Sequence, residues 1–137
     1  MEMLSSGLPD IISDDEDLAR FITSPGQYNL MGAKPSAFLP EPEARETSVF
    51  RHSGEPREEL WAIGEEHAAQ GRTIHGAAIV KAADVRTISL DVFPDEPPPR
   101  HAAIRNWPWA ESDADLRKAK HKELAILLAR DARFLKK

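Results

Sequence analysis

Eleven prolines punctuate this 137-residue chain, and most of them crowd into two stretches, Pro35 to Pro42 and Pro94 to Pro99. Proline lacks a backbone donor and pushes the preceding residue towards extended geometry, so neither stretch can be a helix interior or a central strand. Regular structure is confined to the segments between them, each short. A chain of this length buries about two-thirds of its unfolded surface around one core, and its 41% hydrophobic and 30% charged residues are those of an ordinary globular protein. The expected fold is a single compact α+β domain spanning residues 13–137. It would hold a small sheet of short strands packed by helices, and a long C-terminal helix. Residues 1–12 form an arm expected either to be mobile or to dock through Leu8, Ile11 and Ile12.

Local patterns place the elements. Ser13 followed by Asp14, Asp15, Glu16 and Asp17 offers an N-cap and acids for the positive end of a helix, with Leu18, Phe21 and Ile22 as its apolar face and Pro25-Gly26 as its stop. Phe38 anchors the first proline-rich loop. Thr47 to His52 is rich in β-formers and predicts a strand. Pro56, Glu58 and Glu59 open a helix carrying Leu60, Ile63 and Gly64, with Gly71 as its cap. Thr73 to Val80 predicts a strand buried on both faces; Lys81 to Thr87 predicts a turn or two of helix. Strands follow over Ser89 to Phe93 and His101 to Arg105, separated by exposed, extended chain at Pro97, Pro98 and Pro99. Trp107-Pro108-Trp109 is expected to clamp a final helix that starts at Ser112 and runs to Phe134, its basic first half projecting past the core.

The chain has no cysteine, which excludes disulfides, thiolate zinc sites and a cysteine nucleophile. An acidic run lies where a secretory signal would need basic then apolar residues, and no span approaches the roughly 20 apolar residues of a membrane helix, so a cytoplasmic protein is expected. The formal charge of −5 is unevenly spread: residues 1–66 carry 14 acids and 5 bases, residues 67–137 carry 9 acids and 13 bases. Such a chain can pair its own ends, self-associate or offer a basic face to an anion.

Histidine is the residue type here best suited to proton transfer near neutrality. His52, His75 and His101 fall at or inside predicted strands, and Arg51 and Arg100 immediately precede two of them. Were the strands neighbours, one imidazole could act as base and another as acid while the guanidiniums held a phosphate, as in a small RNA- or nucleotide-processing enzyme. No H-x-x-x-H spacing, G-x-S-x-G elbow or phosphate-cradling glycine motif occurs, so neither a metal nor a cofactor is expected. The basic run Arg117, Lys118, Lys120 and Lys122, with Trp107 and Trp109 close by, could meet nucleic-acid phosphates and bases. Together with the pre-extended Pro97 to Pro99 loop, it could equally bind a protein partner.

Three segments, Pro35-Ser36-Ala37-Phe38-Leu39-Pro40, Glu46-Thr47-Ser48-Val49-Phe50-Arg51 and Pro99-Arg100-His101-Ala102-Ala103-Ile104, resemble a loose group of small bacterial proteins. There an S-x-A-F-x-P segment precedes a Ser-Val strand and a P-x-H-A-x-I element closes the unit. The resemblance spans roughly residues 34–104 and implies a bacterial origin and one folded unit. It brings no activity with it, and draws interest to Ser36, Phe38, Arg51 and His101. With no complete active-site motif, the leading expectation is a non-enzymatic accessory or protein-interaction protein of a bacterial operon.

Overall fold

The computed structural model describes residues 4–68 and 71–137. In chain order the elements are β1 (Asp17–Ile22), the hairpin strands β2 (Tyr28–Asn29) and β3 (Gly32–Ala33), β4 (Thr47–Arg51), α1 (Arg57–His67), β5 (Gly76–Lys81), α2 (Ala82–Thr87), β6 (Asp91–Pro94), β7 (His101–Arg105), α3 (Ala114–Asp131) and β8 (Arg133–Lys136). Six strands form one sheet in the order β6-β7-β4-β1-β5-β8, every neighbouring pair antiparallel. The chain is a single compact α+β domain with a long C-terminal helix, as its sequence predicts.

The segment expected to be the first helix is instead β1, at the centre of the sheet. Leu18 and Ile22 fit a helical stripe, but they also alternate with Ala19 and Phe21. Pairing Leu18 with Val80 and Ala19 with Ile79 buries both sets at once. The acidic run before it folds as a turn, with Glu16 N–H donating to Ser13 O. Its acids then meet bases from elsewhere in the chain: Asp14 pairs with Arg86, Glu16 with Arg51 and Asp17 with Lys81.

Alternation along the central strands divides the expected single core between two faces of the sheet. The larger cluster joins Leu18, Ile22, Val49, Val80 and Ile104 to Phe38, Val85, Trp107, Ala125 and Leu128, under α2 and α3. The smaller one joins Ala19, Ala77 and Ile79 to Leu60 of α1, flanked by Phe21, Trp61 and Leu135. A Cβ at Gly64 would sit 2.7 Å from the Phe21 ring, so the glycine lets α1 lie close against β1. That helix ends at His67, with Ala68 N–H donating to Gly64 O, before the expected cap at Gly71.

The final helix also departs from expectation at both ends. Its N-cap is Asp113, which accepts from Asp115 and Leu116 N–H, one residue later than the expected Ser112. It stops at Asp131, and Phe134 and Leu135 belong to β8, paired with Ala78 and Ala77 of β5. Gly76 makes room for this edge strand, since a Cβ there would lie 2.4 Å from Leu135 O. The basic first half of α3 does project: Leu116, Lys118, Lys120 and Lys122 are exposed, and burial begins at His121.

Ile12 is buried in the larger cluster and Ile11 is exposed. Within the described part of the N-terminal arm, Pro9 O accepts from Arg51 Nη1, while Ser5 and Ser6 donate to Glu96. No described helix is long and apolar enough to cross a membrane.

Candidate functional site

Two places gather the residues that sequence reasoning singled out. The first is the sheet end where Leu18 pairs with Arg51 and Phe50 with His101. This register brings Arg51, His52, Arg100 and His101 together. His75 is at the opposite end, because β1 runs from Asp17 beside Lys81 to Ile22 beside Gly76. There the His75 ring lies 5.5 Å from that of Tyr28, with 3.5 Å between Nδ1 and the phenol oxygen.

At the first end both guanidiniums already hold carboxylates. Arg51, 1% exposed, grips Glu16 through Nε and Nη2 at 2.8 and 2.9 Å. Arg100 binds Glu55 and donates to Arg51 O. His101 Nδ1 is 2.8 Å from Asp95 O. His52 Nδ1 lies 3.7 Å from Glu55 Oε2, and both atoms are buried without a hydrogen-bond partner among the described residues. Burial pushes the His52 imidazole below its ordinary pKa against the pull of Glu55. Glu55 also sits below its ordinary value: burial raises it, but its backbone hydrogen bond and Arg100 outweigh that.

The Pro97 to Pro99 segment, expected to be extended, is folded into the β6–β7 connection. His101 N–H donates to Pro98 O, and Arg100 turns the chain at φ 71°. Glu96 pins the turn by accepting from Ser5, Ser6 and Arg100 N–H. A carboxylate collecting that many donors closes the loop back onto the domain, which overrides the extended preference of the prolines.

The second place is a groove of about 470 Å³ between the first proline-rich segment and α3. Pro35, Ser36, Leu39, Pro40 and Pro42 form one wall. The segment is held from below by Phe38, fully buried, whose carbonyl accepts from Thr47 Oγ1. The other wall is Trp109, His121 and the basic residues Arg117, Lys118 and Lys122. Trp109 packs at 4.6 Å against the His121 ring, with Arg45 and Arg117 guanidiniums 5.2 and 5.8 Å from its centroid. His121 Nε2 is 2.7 Å from Pro108 O. The aromatic clamp on α3 is therefore present, built on His121, a residue the sequence reading passed over. Its signal was the single histidine inside a run of lysines.

Glu111 lies beside Arg117 and Lys120, and the Asp113 backbone hydrogen bond, then these two cations, hold it below its ordinary pKa. Lys120 reaches Glu111 at 3.4 Å, whereas Lys118, Lys122 and Arg117 have no carboxylate within 4.0 Å among the described residues. Trp109 Nε1, buried, also lacks a partner there.

Fold and sites together define an antiparallel, six-stranded α+β domain with an apolar groove bordered by Arg117, Lys118 and Lys122. Comparison with protein families, with characterised proteins and with solved structures finds no match to this chain.

Proposed function

We propose that this chain is a non-enzymatic, cytoplasmic accessory protein of a bacterial operon that captures an acidic segment of a partner protein in the groove between Pro35–Pro42 and α3. The observation that carries this reading is the pairing of an apolar floor with two lysines, Lys118 and Lys122, that meet no carboxylate within 4.0 Å among the described residues. Ordinary surface lysines stay solvated at little cost; here they border proline, leucine and tryptophan surface that gains from being covered. The occupant is a short acidic segment bearing one apolar side chain, which would sit against Trp109 and Leu39 while its carboxylates meet Lys118 and Lys122. Nucleic acid draws less support, because Trp107, the second ring that base stacking would use, is 3% exposed. Acid–base catalysis by His52 and His101 draws less as well, since Arg51 and Arg100 are already committed to Glu16 and Glu55.

A fluorescent peptide of alternating glutamates around one central leucine is the probe. Binding should weaken as salt rises, and the Lys118→Glu/Lys122→Glu double variant should bind at least about 10-fold more weakly, since opposed like charges are costly. Equal affinity for both proteins, or tighter binding of a single-stranded oligonucleotide of matching charge, contradicts the proposal.

A further inference from the structure

Arg20 is the exception among the inward-lying arginines. Arg51, Arg86 and Arg100 each meet a carboxylate. Arg20 meets none within 4.0 Å among the described residues, although it points from the central strand β1 into the domain. The pairing of β1 with β4 covers Leu18–Arg51 and Ala19–Phe50 and then stops, while the pairing of β1 with β5 continues to Ile22. The Arg20 guanidinium lies in this opening, with Nε donating to Ala37 O at 2.8 Å and Nη1 to Ser48 O at 3.0 Å. Both acceptors are neutral carbonyls, so its hydrogen bonds are met but its charge is not. Burial lowers its pKa, and Glu41, the acid that opposes this, stays outside ion-pair distance. Buried charges in folded proteins are nearly always paired.

Beside Arg20 lies a cavity of about 450 Å³, which Glu41 also lines from beyond ion-pair distance. A second guanidinium, Arg72, also lines it, donating to Thr23 Oγ1 at 3.3 Å and with no carboxylate within 4.0 Å among the described residues. Thr23 and Ser48 add polar wall, and the apolar part is Phe21, Phe50 and Ile74, with the His67 ring stacked 5.5 Å from Phe50. Two guanidiniums against one carboxylate leave the cavity with a net positive charge, and with the rings of Phe21 and Phe50 they match a small molecule with an oxyanion at one end and a flat or aliphatic body at the other. The volume falls within the range of small-molecule sites.

We propose that this cavity is a binding site for a small organic oxyanion, a carboxylate or phosphate monoester with an apolar body, held at its charged end by Arg20 and Arg72. The site is separate from the groove on α3: the two share no lining residue. It therefore stands or falls independently of the partner-binding proposal.

The test is a titration of the full chain with phenyl phosphate, benzoate and inorganic phosphate, followed by the NMR signals of Phe50 and His67 and by calorimetry. Saturable binding of at least one of the two aromatic anions, tighter than inorganic phosphate, is expected. Arg72→Ala, at an exposed position, should keep the melting temperature and weaken binding at least about 10-fold, the loss of a charge-assisted contact. Arg20→Lys should weaken it too, whereas Lys118→Glu in the other groove should leave it unchanged. Failure of all three anions to bind the folded protein overturns the proposal. So does binding that Arg72→Ala leaves intact.

Discussion

Removing the Glu16 carboxylate should cost the domain far more than loss of an ordinary ion pair. Arg51 is 1% exposed, and two of its three guanidinium nitrogens donate to Glu16. The third reaches only the carbonyl of Pro9. Glu16→Ala strands a charge inside the protein and also frees Ser13 N–H, which donates to Glu16 Oε2 at 2.9 Å. Breaking a buried pair from one side costs about 3–5 kcal/mol. Glu16 itself is 16% exposed, so water can enter its place, which favours the lower end, about 3 kcal/mol. For a domain of this size that lowers the melting temperature by roughly 10 °C. Urea unfolding of the wild type, Glu16→Ala, Arg51→Met and the double variant closes the cycle. The double variant should recover much of the loss, because no unpaired charge remains. A cost below about 1 kcal/mol for Glu16→Ala, the value of an exposed pair, would show that Arg51 does not depend on Glu16 for its counter-charge.

Two further outcomes follow from the same geometry. Gly76→Val places a side chain against Leu135 O and the Phe134 ring. It should detach β8, seen as faster amide exchange at residues 133–136, with a stability loss of about 1–3 kcal/mol; protected amides there would contradict the account of β8. His52 and Glu55 both have folded pKa values below their ordinary ones, so each favours the folded state in its deprotonated form. The stabilisation from His52 is complete above its ordinary value of 6.5 and declines as the pH falls below it, that from Glu55 declining only at more acidic pH. The urea midpoint should therefore fall between pH 7.5 and 5.5, and less steeply in His52→Asn. A midpoint that rises over this interval would show the sign to be wrong.

The middle of the chain and the long C-terminal helix were legible, whereas β1 and β8 were not. From Thr47 to Arg105, strands rich in β-formers alternate with segments opened by Pro56 or closed by glycine, so local chemistry and tertiary structure agree. At β1 they conflict. Asp17-Leu18-Ala19-Arg20-Phe21-Ile22 satisfies a helical stripe and a two-faced strand equally well, and only the presence of β4 and β5 on either side decides between them. At β8 the helical pattern of α3 runs on through Phe134 and Leu135, and the deciding residue is Gly76, far away in sequence. The candidate sites divide in the same way. Arg51-His52 and Arg100-His101 are brought together by β4 and β7, as strand adjacency would have it. His75 is carried to the other end because β5 runs antiparallel to a strand that the sequence did not reveal. The basic half of α3 was visible as a charge run. Its apolar counterpart was not, because the groove is formed only when Pro35–Pro42 packs across from it.

The indole N–H of Trp109 is the most sensitive reporter of the proposed capture of an acidic protein segment in the groove on α3. In a titration of isotopically labelled protein with the glutamate–leucine peptide, the Trp109 Nε1–H signal should shift and saturate along with the Lys118 and Lys122 amides. The Trp107 indole, whose Nε1 donates to Ile104 O at 3.2 Å, should stay in place. A Trp109 signal that does not move while the peptide binds elsewhere would contradict the proposal.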